Sequence, residues 1–145
     1  MSAGRPIQLP LGIKLRDEAT FASYYPGPNA GVLAATQAFA EPQSSVEECC
    51  LYLWGSEGTG RTHLLQAACH ALADVGGLAM YLPLDELADE GPLLLEGMES
   101  VDLLCLDKLE AVAGRPDWEE ALFHLYNRLR EQGGRLLVAA VAAPR

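Results

Sequence analysis

Cations are scarce in this chain: Lys and Arg number 10 against 20 Asp and Glu, a formal net charge of −10. So few positive charges displace few phosphate counterions, which excludes autonomous binding to DNA or to an anionic membrane surface as the main activity. Long apolar runs are missing as well. No stretch reaches the roughly eighteen residues of a membrane span, and the opening "MSAGRPIQLPL" lacks the hydrophobic core of a signal peptide. Cysteine is limited to Cys49, Cys50, Cys69 and Cys105, with no Cys-x-x-Cys pair and no metal-ligand spacing to a histidine. Buried reduced thiols are expected, and with them a cytoplasmic setting. There is no internal repeat and no low-complexity tract.

What is present suits one α/β domain. The 145 residues are half apolar, enough for a sizeable core. Residues 1–28 show little periodicity, and Pro10, Pro26 and Pro28 discourage helix, so an extended N-terminal arm is expected there. The domain proper, 29–145, begins with "NAGVLAATQAFA", a helix with Asn29 as its cap. A polar loop follows, and then "CCLYLW", a short apolar run that reads as a buried parallel strand. In "RTHLLQAACHALADVGG" the residues Leu64, Leu65, Ala68, Leu72 and Val75 form a helical stripe, stopped by Gly76 and Gly77. Strands are expected in "LAMYLPL", "VDLLCLDKL" and "RLLVAAV". A further helix, "DWEEALFHLYNRLREQGG", is expected to be capped by Asp117 and stopped by Gly133 and Gly134. Strands alternating with helices argue for a parallel sheet with helices on both faces. The chain stops at "AAPR", just past a strand, so a truncated domain is expected.

Chemistry concentrates in "GSEGTGRT". Gly55, Ser56, Glu57, Gly58, Thr59, Gly60, Arg61 and Thr62 match the phosphate-binding pattern of Gly, four residues, Gly-Lys-Ser/Thr, except that Arg61 replaces the lysine. A strand, a glycine-rich turn and a helix N-terminus converge backbone N–H groups and a partial positive charge on one point, which suits a di- or triphosphate. The glycines permit close approach and positive φ. Thr62 is placed to offer its hydroxyl to Mg²⁺. Arg61 keeps the charge but is larger and planar, so binding is expected to survive and turnover to suffer; it contacts either phosphate or a carboxylate such as Glu57. "LLCLDKL" is an apolar strand ending in Asp107, read either as a helix cap or, with the glycine loop, as a Mg²⁺ ligand. His63, beside Thr62, is read as packing or surface.

These stretches, together with "TFASYYPGPNAG", "YLPLDEL" and "LDKLEAVAGRPDWEEALFHLYNRL", resemble the DnaA group of AAA+ P-loop NTPases, and within it the Hda family of regulatory inactivators of DnaA. The resemblance runs from about residue 7 to the end of the chain. It implies an AAA+ base domain without its last strand, arginine finger and helical lid. It implies bound ADP or ATP with Mg²⁺ held by Thr62 and Asp107. Tyr24, Tyr25, Pro26 and Asn29 would lie on the adenine side, although each tyrosine reads equally well as packing. The implied partners are DnaA and the DNA polymerase III sliding clamp (its β subunit), with DNA reached only through the clamp and homo-oligomerisation left open. Gln8, Leu9, Pro10 and Leu11 resemble a compressed clamp-binding peptide. The implied role is negative regulation of replication initiation by promoting hydrolysis of DnaA-bound ATP; the alternative is a DnaA-like ATPase or helicase-loader motor. Three departures count against turnover by the chain itself: Arg61, Lys108 in place of a second carboxylate, and an apolar Val141–Ala142 where the family often has a polar sensor. Glu110 is not expected to substitute.

Overall fold

The computed structural model describes residues 19–24, 30–40, 50–55 and 60–141. Four short apolar runs build one sheet: β1 (Cys50–Trp54), β2 (Ala79–Pro83), β3 (Leu103–Asp107) and β4 (Arg135–Ala140). Their order across the sheet is β1-β4-β3-β2, and every pairing is parallel. Helix α1 (Ala30–Phe39) precedes the first strand, and α2 (Arg61–Asp74), the single turn α3 (Leu84–Leu87) and α4 (Pro116–Glu131) lie between the strands. Short 3₁₀ turns at Ala88–Glu90, Pro92–Leu95 and Met98–Ser100 connect α3 to β3. No helix among the described residues is long and apolar enough to cross a membrane.

A parallel sheet needs cover on both faces, and the period-2 alternation of its strands supplies two apolar surfaces. Leu53, Ala79, Tyr81, Leu103, Cys105, Leu137 and Ala139 join Leu64, Leu65, Ala68 and Leu72 of α2 and Phe39 of α1 in one core. The intervening residues Met80, Leu82, Leu104, Leu106, Leu136 and Val138 join Trp118, Leu125 and Leu129 of α4 in the other. Helices therefore lie on both faces, as the sequence pattern predicts. Cys69 and Cys105 are buried free thiols with sulfurs 3.5 Å apart, while Cys50 is only half-buried. Burial, and then Cys69, pushes the Cys105 thiol well above the ordinary range.

Two local expectations differ. Val75 does not extend the buried stripe of α2; it lies just past the last helical residue and is 62% exposed. Nor does Asp117 cap α4. The helix starts one residue earlier, at Pro116, whose fixed φ and missing N–H suit the first helical position. Asp117 then lies inside the first turn, where its Oδ1 accepts the Trp118 N–H at 2.9 Å. The Glu119 carboxylate reaches back to the Gly114 N–H at 2.8 Å. The far end runs as expected: Gly133 takes φ +81 and its N–H bonds the Arg130 carbonyl.

Candidate functional site

Because all four strands run the same way, Trp54, Pro83, Asp107 and Ala140 end at one edge of the sheet. Open α/β sheets bind ligands outside this edge. The glycine loop leaves β1 there. The Gly55 N–H donates to the Ala140 carbonyl at 3.3 Å, tying the start of the loop to the end of β4. Gly60 closes the loop at φ +81 and leads into α2. Its lack of a side chain is required twice, because a Cβ there would also lie 2.8 Å from Tyr24 Cε1. Ser56, Glu57, Gly58 and Thr59 lie outside the described residues, as do Gln8, Leu9, Pro10, Leu11, Tyr25, Pro26, Asn29 and Ala142.

The two residues expected to serve a metal meet directly. Thr62, in the first turn of α2, donates its Oγ1 hydroxyl to Asp107 Oδ2 at 2.6 Å. Asp107 is 2% exposed at the end of β3. A hydroxyl and a carboxylate are hard oxygen donors. Mg²⁺ is commonly held by one or two such groups together with a ligand's phosphates. These residues fit that ion together with a phosphate ligand; no group of three or more His, Cys, Asp or Glu side chains is assembled for a metal among the described residues.

The sequence reading missed two further members of this cluster. Tyr81, from β2, donates its hydroxyl to the same Asp107 Oδ2 at 2.7 Å. Gln66, one helical turn beyond Thr62 and buried, hydrogen-bonds that hydroxyl. Burial first, and then the Asp107 charge, raises the Tyr81 hydroxyl well above the ordinary phenol range, so it is a neutral donor. The available signal was Gln66 itself, a polar residue among the apolar positions of α2, spaced i+4 from Thr62.

Arg61 reaches back to the residue that follows β1; Glu57, a partner expected for it, lies outside the described residues. The Arg61 Nη1 donates to the Gly55 carbonyl, joining the last residues of the loop to the first. Lys108, in the place of a second carboxylate, is exposed and held at φ +57, a left-handed conformation rare for a side-chain-bearing residue. Glu110 is engaged elsewhere: its Oε1 accepts the Val141 N–H at 3.1 Å. Val141 is the residue following β4, so the region of the expected sensor presents a capped backbone N–H and an apolar side chain.

His63 packs against Tyr24, and it also hydrogen-bonds the turn that precedes that residue. Its Nε2 lies 2.7 Å from the Thr20 carbonyl and 3.2 Å from Ser23 Oγ. Thr20 and Ser23 close a turn on one another through their hydroxyls. Residues 19–24, which the sequence reading assigns to the arm, are thereby fastened to α2: Ala19 is fully buried, and Tyr24 packs between Gly60 and His63, the ring centroids of Tyr24 and His63 being 5.4 Å apart.

No family model matches the chain. Among solved structures it is similar to AMPPCP-bound DnaA from Aquifex aeolicus, with a TM-score of 0.75 and 26% sequence identity, covering 88% of this chain and 43% of that one. It is similar to domain III of the DnaA replication initiation protein of Thermotoga maritima, with a TM-score of 0.69 and 21% identity over 90% of this chain and 59% of that one. For the DnaC helicase loader the TM-score is 0.67 and the identity 20%, over 89% of this chain and 80% of that one. The chain thus spans less than half the length of the Aquifex DnaA that it matches. Its fold, a parallel sheet with a glycine loop at the carboxyl end and helices on both faces, is that of the AAA+ P-loop NTPase domains of DnaA and DnaC.

Proposed function

We propose that this chain is the nucleotide-binding part of a regulatory protein of bacterial replication initiation, one that holds ADP or ATP with Mg²⁺ as a ligand rather than turning it over. The observation that carries the reading is the direct contact of Thr62 with Asp107 at the head of α2, beside a loop whose first and last residues are tied by Arg61. Phosphates would be bound by the Gly55–Thr62 backbone and the Arg61 guanidinium, and the metal by Thr62 and Asp107. Bound Mg²⁺ would offset phosphate charge. Hydrolysis needs a group that orients or deprotonates water. Lys108 cannot act as that base, Glu110 is occupied by the Val141 N–H, and the end of β4 offers no polar side chain at Val141. The bound nucleotide then acts by mass action, stabilising the fold that meets a partner.

The finer reading follows the Hda resemblance. Gln8, Leu9, Pro10 and Leu11 dock on the sliding clamp, and the AAA+ face meets ATP-bound DnaA and promotes hydrolysis of that protein's ATP. The similarity to AMPPCP-bound DnaA supports an adenine nucleotide. The net charge of −10 supports reaching DNA through the clamp rather than directly. The likeness to the DnaC loader supports, at the level of fold, a second reading as a loader-type motor; the same three departures weigh against it.

Calorimetric titration with ADP and ATP, with and without Mg²⁺, paired with a phosphate-release assay, tests the reading. Tight binding with phosphate release at background is expected. Rapid release overturns the ligand-only role, and no binding by either nucleotide overturns the site. The clamp arm is tested separately: Gln8→Ala with Leu11→Ala should weaken clamp binding at least tenfold in a pull-down titration, and unchanged binding removes the arm from the mechanism.

A further inference from the structure

The Asp107 carboxylate has one oxygen, Oδ2, on which two hydroxyls converge, Thr62 at 2.6 Å and Tyr81 at 2.7 Å. The two donors are not equivalent. Thr62 sits at the head of α2, where a metal held with a phosphate would compete for its hydroxyl. Tyr81 sits one strand across from Asp107, 4% exposed, within the core that α2 packs against. Its hydroxyl is held in turn by Gln66, also buried and on the same helix as Thr62. A circuit therefore runs from α2 through Asp107 on β3 and Tyr81 on β2 back to α2.

A carboxylate this buried needs hydrogen-bond donors to satisfy its oxygens and hold one rotamer. If the Thr62 hydroxyl turns to a metal, Asp107 loses one of the two. We infer that Tyr81 is the positioning residue for Mg²⁺ at this site: it keeps Asp107 oriented when Thr62 is recruited to the ion, and Gln66 keeps Tyr81 pointed at Asp107. Tyr81 touches neither metal nor nucleotide; it acts through Asp107. Residues that orient a metal's ligands in this way typically change metal affinity about 10–100-fold when removed. The inference rests on the nucleotide reading above and adds to it the residue that sets its metal dependence.

The test is ADP binding by the wild-type chain and by Tyr81→Phe, each titrated with and without Mg²⁺. Phenylalanine keeps the ring in the core and removes only the hydroxyl. In the wild type, Mg²⁺ should tighten ADP binding. In Tyr81→Phe most of that gain, about tenfold or more, should vanish, while Mg²⁺-free affinity stays within about twofold; a general loss of structure would weaken both. A second readout is independent of nucleotide affinity: Mn²⁺ bound in the presence of saturating ADP, followed by electron paramagnetic resonance, should require about ten times more metal in the variant. Gln66→Leu should move both readouts in the same direction by a smaller factor. Equal Mg²⁺ dependence in wild type and Tyr81→Phe overturns the inference and leaves the nucleotide site standing. Wild-type ADP binding that Mg²⁺ does not alter overturns it likewise. No ADP binding by the wild type overturns the nucleotide reading itself.

Discussion

Gly60 offers the sharpest perturbation of the site's frame, because the fold contains its own control. Gly60 and Gly114 both sit in the left-handed region, at φ +81 and +82. Around Gly114 a Cβ would meet nothing within 4 Å; around Gly60 it would come within 2.8 Å of Tyr24 Cε1. Replacing either with alanine incurs the left-handed cost of roughly 1–2 kcal/mol, and either gains about 0.4–1 kcal/mol from a less flexible unfolded chain. These contributions cancel between the two variants. What remains at Gly60 is overpacking against a ring that is itself in the core and tilted against His63, which typically costs about 1–3 kcal/mol. Gly60→Ala should therefore be less stable than Gly114→Ala by about 1–3 kcal/mol. Urea unfolding followed by tryptophan emission measures this, since Trp118 is fully buried and reports on loss of the core. In a Tyr24→Ala background the difference should shrink to near zero. Two variants within about 0.5 kcal/mol of each other in the wild-type background, the spread of ordinary surface changes, would refute the reasoning that Tyr24 seals the end of the loop.

Three other outcomes follow from single contacts. His63→Ala should release the Thr20–Ser23 turn from α2, read as faster amide exchange in residues 19–24 with the rate at β3 unchanged; slow exchange in that turn would show that Tyr24 alone holds it. Trp118→Phe removes the indole N–H that donates to the Ala88 carbonyl at 3.2 Å but keeps most of the ring, so it should cost about 1–2 kcal/mol, whereas Trp118→Ala should cost about 3–5 kcal/mol in the same urea assay. Thr62→Val keeps the side-chain shape and leaves Asp107 with one hydroxyl fewer, so the ligand-free protein should lose about 1–3 kcal/mol; no loss would mean that solvent replaces the hydroxyl and that the site is more open than its 2% exposure implies.

What the sequence disclosed and what it withheld divide along a physical line. Features set by neighbours in the chain were legible. The apolar runs that became β1 to β4, the glycines that stop α2 and α4, and the glycine loop between a strand and a helix each depend on a few consecutive residues. The pairing of Thr62 with Asp107 was legible only because a known pattern links the two across 45 positions of sequence. Tyr81 and Gln66 were not legible, because their meeting depends on which strand lies beside β3 and in what register, and a single sequence does not print strand order. His63 does pack, but its partners were not legible for a related reason: they lie forty or more residues earlier, in a stretch that reads as an extended arm. Asp117 was a local error, in which a good capping residue drew attention from the proline just before it.

Arg61 joins the two kinds of reading. As a residue type it reads as a weakened lysine, charged but ill-shaped for following a phosphate through transfer. In the fold its fork does something that one compact ammonium does less well. A guanidinium presents five N–H donors in a plane, so a bond from Nη1 to the Gly55 carbonyl does not use up its capacity to meet an anion. The same substitution that lowers the expectation of turnover thus gives the loop a tie between its first and last residues before any ligand arrives. Chain ends already held together have less conformational freedom to lose on binding. That is the balance expected of a site that keeps a nucleotide rather than spends it, and it makes Arg61→Lys informative in both directions: weaker binding without faster turnover supports a holding role, and restored turnover would place the defect in this one residue rather than in Lys108 or the end of β4.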